Sequence, residues 1–354
     1  MRIFVSEYVC GGAWPETRIE TSLAREGRAM LTALVADLSR IPGAQVVTTW
    51  DARLGKSTLK NCDVRVVETA ADEASLYRNL CLQCDVVWVI APETGNVLRD
   101  RKGLFDSVMM VTRAKTWPTF IGSKLPTIAL CTDKLALSEY LRAQGISTPK
   151  TLELETVAYQ PPVIDGKKSP TSELLVEPPI VIKPRDGAGS QETFLVCSDK
   201  EFATVWKKCD GRREAFISQP FVAGKALSVA LLIAEDGSIR EVLPVAEQHL
   251  SDNGRFRYLG GRIPADISAE SAIAVQRLAE KACRVLPGLT GYVGCDIVLP
   301  VDRPLEPVLI EINPRLTSSY LGYRTLTDDN IPARLLDANT PPLRWNAKPV
   351  TFSV

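Results

Sequence analysis

Histidine is almost absent from this chain of 354 residues; His249 is the only one. A Ser-His-Asp hydrolase or a histidine-rich metal site therefore has little to be built from. Net charge is also missing, because 42 Lys and Arg are matched by 42 Asp and Glu. Without a basic field to hold a phosphate backbone, no nucleic acid partner is expected. No apolar run approaches the length of a membrane span, and the opening "MRIFVSEYV" lacks a charged-then-apolar targeting pattern. The expectation is a cytoplasmic protein with no membrane partner. The nine cysteines are odd in number and scattered, with Cys81 and Cys84 the one close pair. A disulfide framework and a zinc site are both disfavoured, and reduced thiols are expected.

The residues present describe a mixed α/β protein. In the first third, "RIFVSEYV" (2–9), "AQVVTTW" (44–50), "VRVVET" (64–69) and "DVVWVIAP" (85–92) read as strands, and 19–38 reads as a crossover helix. Such alternation predicts a parallel sheet covered by helices. No GxGxxG follows the first strand, which argues against a nicotinamide site. Glu7 with Tyr8, and Glu93 in "APETGNVL", fall at strand ends, where open parallel sheets place ligands. Glu93 is a substrate candidate; helix capping or solvent exposure is the alternative.

A capped helix with a Gly145 stop spans 131–149, and a polar stretch rich in Pro, Gly and Ser around 161–172 reads as an exposed excursion. Beyond it the strands are expected to be mostly antiparallel: 179–184, 214–221, 227–234, 239–247, 291–299 and 306–313, with a helix over 270–286 between them. The expected domains are 1–115, an N-terminal α/β unit; 116–220, a linker and first lobe; 221–335, a second lobe; and 336–354, a tail.

Two patterns carry chemistry. "VIKPRDGAGSQE" ends a strand on Lys183 and continues into a turn of small residues, a cation followed by backbone N–H groups able to approach phosphate. In "GCDIVL" and "EINPR", Asp296, Glu311 and Asn313 supply hard oxygens suited to Mg²⁺, with Mn²⁺ as the alternative ion. Glu311 and Asn313 are two apart, so a strand shows both on one face and turns Ile310 and Ile312 the other way. A strand with a solvated polar face is the plainer reading.

Five ordered segments, 133–149, 181–190, 217–229, 294–299 and 311–315, together resemble the ATP-grasp superfamily. The resemblance implies an N-terminal pre-ATP-grasp sheet and two α+β lobes clasping ATP. It implies that Lys134 and Lys183 meet the phosphates, that 187–191 (Gly187, Gly189, Ser190, Gln191) closes over them, and that the backbone at Gln219, Phe221 and Val222 holds the adenine. One departure is Ala226, where many relatives carry an acid for the ribose. Another is that no arginine precedes Asp296, which leaves Arg315 to stabilise a transferring phosphoryl group. On "APETGNVL", on Gln248, Tyr258, Gly260, Gly261 and Pro264, and on "EINPRLTSSYLGYR", the chain is similar to the tyramine–glutamate ligases of methanofuran-type cofactor biosynthesis.

The expected reaction is ATP-dependent amide formation through an acyl phosphate, with a small carboxylate and a small amine as partners and a homodimer left open. A ligase for another amino acid or peptide, or an inactive nucleotide-binding module, are the alternatives. Tyr258, Thr317 and Ser318 join Glu93 as substrate candidates, with helix capping the competing use of the two hydroxyls. His249 reads as a surface or substrate-orienting group. An acyl phosphate must be kept from water, so a lid is expected at 161–172 or 250–262, the latter offering Arg255, Arg257 and Arg262.

Overall fold

The computed structural model describes residues 1–19, 21–112, 117–157, 178–187 and 190–353, Thr21 by its backbone alone. In chain order its first unit comprises β1 (Arg2–Glu7), α1 (Thr21–Leu38), β2 (Gln45–Asp51), β3 (Asp63–Val67), α2 (Ala70–Gln83), β4 (Val86–Ile90), α3 (Val97–Thr112) and β5 (Thr119–Ile121). The five strands form a parallel sheet in the order β3-β2-β1-β4-β5. The alternation of β-branched runs and amphipathic helices produces this layering, because parallel neighbours need a covering crossover.

The helices α4 (Leu125–Thr132) and α5 (Lys134–Ala143) lead to a small lobe of β6 (Leu152–Glu153), β7 (Ile180–Pro184), β8 (Phe194–Val196), α6 (Asp199–Lys208) and β9 (Phe216–Pro220). Its antiparallel sheet runs β6-β9-β7-β8 over a core that includes Ile180, Ile182, Phe202 and Phe216. The excursion expected at 161–172 lies outside the described residues.

The largest sheet is antiparallel and built from β10 (Gly224–Ile233), β11 (Ile239–Val242), β12 (Ala246–Leu250), β13 (Tyr258–Ile263), β14 (Gly291–Pro300), β15 (Val308–Asn313) and β16 (Val350–Phe352). Its order is β15-β14-β10-β12-β13-β16, with β11 also on β10. The helix α7 (Ala269–Arg284) covers one face; α8 (Tyr320–Leu326) and α9 (Ile331–Leu336) follow β15. The single strand expected over 239–247 is two strands parted at Pro244, which has no N–H to give a ladder. The tail is not separate either, for Phe352 pairs with Gly261.

One hydrophobic core joins the first unit to the large sheet: Ile3, Val5, Leu31 and Leu34 share a cluster with Ala230, Leu232, Tyr292 and Tyr323. Asp37 pins this seam. Its carboxylate accepts from Tyr320 Oη at 2.6 Å and from Arg324 at 2.9 Å through both Nε and Nη2. Asp37→Ala leaves a buried hydroxyl and a guanidinium without their acceptor. The unfolding free energy is expected to fall by about 2 kcal/mol, less than for a fully buried pair because Arg324 keeps contact with water. Denaturant titration of the variant against the parent checks this, and an unchanged midpoint overturns it.

Candidate functional site

The site begins with strand register. On β14 and β15, Asp296 lies opposite Glu311 and Gly294 opposite Asn313, so the three polar side chains share one face of the sheet. The alternation anticipated in "EIN" is present, with Ile312 buried on the other side. Asn313 Nδ2 donates to Asp296 Oδ2 at 3.0 Å, and Gln248 Nε2 on β12 donates to Asp296 Oδ1 at 2.8 Å. Burial, and then the charge of Glu311, push the Asp296 carboxyl above its ordinary range.

Two carboxylates that face each other, flanked by an amide whose carbonyl oxygen no described residue takes up, fit a hard divalent cation. Among the described residues no three His, Cys, Asp or Glu side chains gather as a metal cage.

Two lysines approach this face from opposite lobes. Lys134 opens α5, and its Nζ lies 3.8 Å from Glu311 Oε1 and donates to the Gly187 carbonyl at 2.7 Å. Lys183, on β7, is 8% exposed. Burial lowers its pKa to about 8; attraction to Glu311 opposes the shift and repulsion from Lys134 adds to it. Asp133 locks this corner by capping α5 through Leu135 N and Ala136 N, while it takes both Nε and Nη2 of Arg185 at 2.8 and 2.7 Å. The loop thus starts from a fixed base at Arg185. Ala188 and Gly189, between Gly187 and Ser190, lie outside the described residues; Ser190 adopts a φ of 58° and Gln191 follows it.

The strand expected to hold adenine is partly spent within the protein. The Phe221 N–H donates to the Pro179 carbonyl at 2.9 Å, and Gln219 lies opposite Val181 in the same hydrogen-bonded phase. The Gln219 side chain donates to Thr151 Oγ1 at 2.7 Å. By the alternation of an antiparallel ladder the Pro220 carbonyl turns away from β7, and among the described residues neither it nor the Val222 N–H makes a backbone hydrogen bond outside the ladders, unlike the Phe221 N–H. Ladder phase requires the pairing partner, which the sequence does not reveal.

Arg315 and Glu93 meet. Arg315 Nε donates to Glu93 Oε2 at 2.7 Å, and Glu93 Oε1 is buried without a hydrogen-bond partner among the described residues. Glu93 thus neither caps the following turn nor faces solvent, but is buried and paired with Arg315. Two residues on, the Gly95 N–H donates to Asp186 Oδ2 at 3.1 Å, so the same loop touches the base of the phosphate loop.

Glu7 is turned inward, accepting from the Cys10 N–H, with burial pushing its carboxyl up to about 7. Gly27 is required above it, since a Cβ there would lie 2.5 Å from Glu7 Oε1. Tyr8 packs edge-on against Trp14.

The hydroxyls at 317–319 do not cap α8, whose start at Ser319 has no side-chain cap. Thr317 Oγ1 and Ser319 Oγ are 2.9 Å apart, and Ser318 Oγ donates to Glu26 Oε1 on α1. Tyr258 borders this region; burial, then the charges of Asp296 and Glu26, push its phenol well up. The stretch 250–262 is docked on the small lobe, with Leu195 N donating to the Gly254 carbonyl at 2.9 Å and Arg255 stacked over the Phe194 ring at 4.3 Å. Arg262 faces Asp266 at 3.6 Å. Those arginines are therefore not all free for substrate. His249 is exposed on β12.

Gln248, Glu26 and Pro220 are the site residues that sequence reasoning left without a role. Only Gln248 had a signal, as part of a motif whose purpose was not evident.

Comparison with known proteins agrees with this geometry. Residues 131–319 match the ATP-grasp domain and residues 44–114 the pre ATP-grasp 3 domain. The tyramine–L-glutamate ligase of Methanocaldococcus fervens is 32% identical over 114 residues, 32% of this chain and 34% of that protein. The D-alanine–D-alanine ligase of Moorella thermoacetica is 26% identical over 244 residues, 64% of this chain and 73% of that one. The matched stretch thus spans about a third of the first of these relatives.

Among solved structures, an ATP-grasp superfamily protein from Archaeoglobus fulgidus aligns with a TM-score of 0.68 at 25% identity, over 97% of this chain and 90% of that one. The L-amino acid ligase from Bacillus licheniformis shares the fold, with a TM-score of 0.62 at 16% identity over 95% and 72%. Among the described residues no helix is long and apolar enough to cross a membrane. With the ATP-grasp model matched over more than half its length, the chain belongs to the ATP-grasp family.

Proposed function

We propose that the protein is an ATP-dependent ligase that activates a small carboxylate as an acyl phosphate and joins it to an amine, with L-glutamate and tyramine as the substrates to try first. The observation that carries this reading is the convergence of Lys134, Lys183 and Arg315 on the face that bears Asp296, Glu311 and Asn313. Such a site positions and neutralises phosphates without a protein nucleophile. The substrate pair is suggested by the tyramine–L-glutamate ligase relatives.

In this reading a carboxylate oxygen of the substrate attacks the γ-phosphorus of ATP and ADP leaves. The amine then attacks the acyl carbon, loses a proton and expels phosphate. Lys134 and Lys183 bind the phosphate oxygens, and the loop from Gly187 to Gln191, Gly189 and Ser190 included, excludes water. Arg315, held by Glu93, neutralises the transferring group. The Pro220 carbonyl and Val222 N–H offer the acceptor and donor that an adenine edge requires. Mg²⁺, held by Asp296, Glu311 and the Asn313 amide oxygen, supplies charge neutralisation to the phosphates when bound.

The test is mass spectrometry of products formed from ATP, Mg²⁺, L-glutamate and tyramine, alongside a panel of other amino acids. An amide product with stoichiometric ADP is expected; another amino acid in the product revises the substrates, and no ADP with any pair overturns the reading. Asp296→Asn and Glu311→Gln are each expected to lower turnover on the order of 100-fold while the fold persists, measured by ADP release and circular dichroism.

Lys183 gives a pH signature. Its folded pKa of about 8 is depressed from 10.5, so between those values the unfolded chain binds more protons. Its contribution to stability therefore rises with pH across that window. Bound phosphates favour the ammonium form, so nucleotide binding at pH 8 to 9 is expected to take up protons, and Lys183→Met to abolish that uptake. Calorimetry in two buffers of different ionisation enthalpy measures it; equal uptake in the variant removes Lys183 from the phosphates.

A further inference from the structure

Of the carboxylates described along the seam and cleft, three have a cation and Asp296 has two amide donors. Asp37 has Arg324 at 2.9 Å, Glu93 has Arg315 at 2.7 Å, and Glu311 has Lys134 at 3.8 Å. Glu26 differs from these. It accepts a hydrogen bond from Ser318, yet no lysine or arginine among the described residues forms an ion pair with it. Arg28, on the same helix, is turned over the Trp50 ring at 5.2 Å from its centroid.

Glu26 is placed in the cleft by its neighbours. Its charge acts on Arg315 and, together with that of Asp296, on the Tyr258 phenol, so it lies on the cleft side of α1 near the reacting face. The Tyr258 hydroxyl has no hydrogen-bond partner among the described residues. An unpaired carboxylate whose position is fixed by a serine, beside a phenol free to accept or donate, is matched in charge and hydrogen bonding by a primary ammonium group. Across the same cleft Lys134, Lys183 and Arg315 carry the opposite sign, so a substrate with both an anionic and an ammonium end has one favoured direction of entry.

We propose that Glu26 binds the ammonium group of an amino substrate in this cleft, with Ser318 holding the carboxylate in position. The inference rests on the ligase reading above. A primary ammonium has two sources in such a reaction, the activated amino acid and the incoming amine, and the assay separates them.

The full chain is incubated with ATP, Mg²⁺ and a panel of amino acids led by L-glutamate, and the acyl phosphate is trapped with hydroxylamine as the hydroxamate; amide formation with tyramine is followed separately. Glu26→Gln keeps the shape and an acceptor for Ser318 while removing the charge. It is expected to raise one KM at least tenfold and leave that for ATP within twofold. If the activated amino acid is the ligand, its KM in the hydroxamate assay rises, and N-acetyl-L-glutamate is handled alike by parent and variant. If tyramine is the ligand, hydroxamate formation is unchanged and only the tyramine KM rises.

Glu26→Asp, which retains the charge, is expected to recover most of the loss; equal losses in the Gln and Asp variants indicate packing and overturn the proposal. Unchanged constants for both substrates in Glu26→Gln overturn it as well, while the ligase reading stands on the parent's hydroxamate. If the parent yields no hydroxamate from any amino acid, the ligase reading falls and this inference with it.

Discussion

Two carboxylates held face to face on an antiparallel ladder repel each other, and the rest of the site is arranged around that repulsion. The β14–β15 register sets Asp296 against Glu311, and the strands cannot slip by one residue without turning either Ile312 to the cleft or Asp296 to the core. The fold therefore fixes a concentration of negative charge and must compensate it from outside the strand pair. Gln248 and Asn313 give hydrogen bonds to both oxygens of Asp296, and Lys134 approaches Glu311 from α5. Amides and one distant lysine soften the repulsion without cancelling it, as the upward shift of Asp296 indicates. In the proposed ligase a phosphate-bound cation would complete that balance at little reorganisation cost, because the oxygens proposed to hold it already face one another.

Compensation from two lobes makes the site depend on how the lobes meet. Lys134 starts α5, whose residues Leu137 and Leu141 pack in the same core as Val293 and Ile312, whereas Lys183 ends a strand of the small lobe. The small lobe is tied back through Asp133 with Arg185 and through the docked loop at Gly254. Burial of Lys183 lowers the cost of later accepting phosphate oxygens, since its ammonium is poorly solvated before they arrive.

What could be read from the sequence was local. "EINPR" declared a strand face because period-two alternation needs only neighbours, and "VIKP" declared a strand that ends near Lys183 for the same reason. Contacts between distant segments were not legible. Arg315 meets Glu93 across 222 positions, Ser318 meets Glu26 across 292, and Gln248 meets Asp296 across 48. Nothing in "APETGNVL" states that its glutamate faces an arginine. Likewise the orientation of the groups at Pro220 and Val222 depends on which phase of the ladder β7 imposes, and that is a property of the pair of strands rather than of either one.

The parallel-sheet unit reaches the candidate site through a loop as well as through α1. Its loop after β4 holds Arg315 by Glu93 and meets Asp186 by the Gly95 N–H, one residue before the first glycine of the phosphate turn. A single short loop therefore ties together the guanidinium that follows β15 and the residue that precedes Gly187. Glu93 Oε1 is left buried without a partner among the described residues, a cost of roughly 1 kcal/mol or more that packing must offset. Such a group persists where the surroundings over-determine it, and here they do: Glu93 lies between the parallel sheet and the β15 loop, with its second oxygen already committed to Arg315. The Glu93 carboxylate thereby fixes where the Arg315 guanidinium sits.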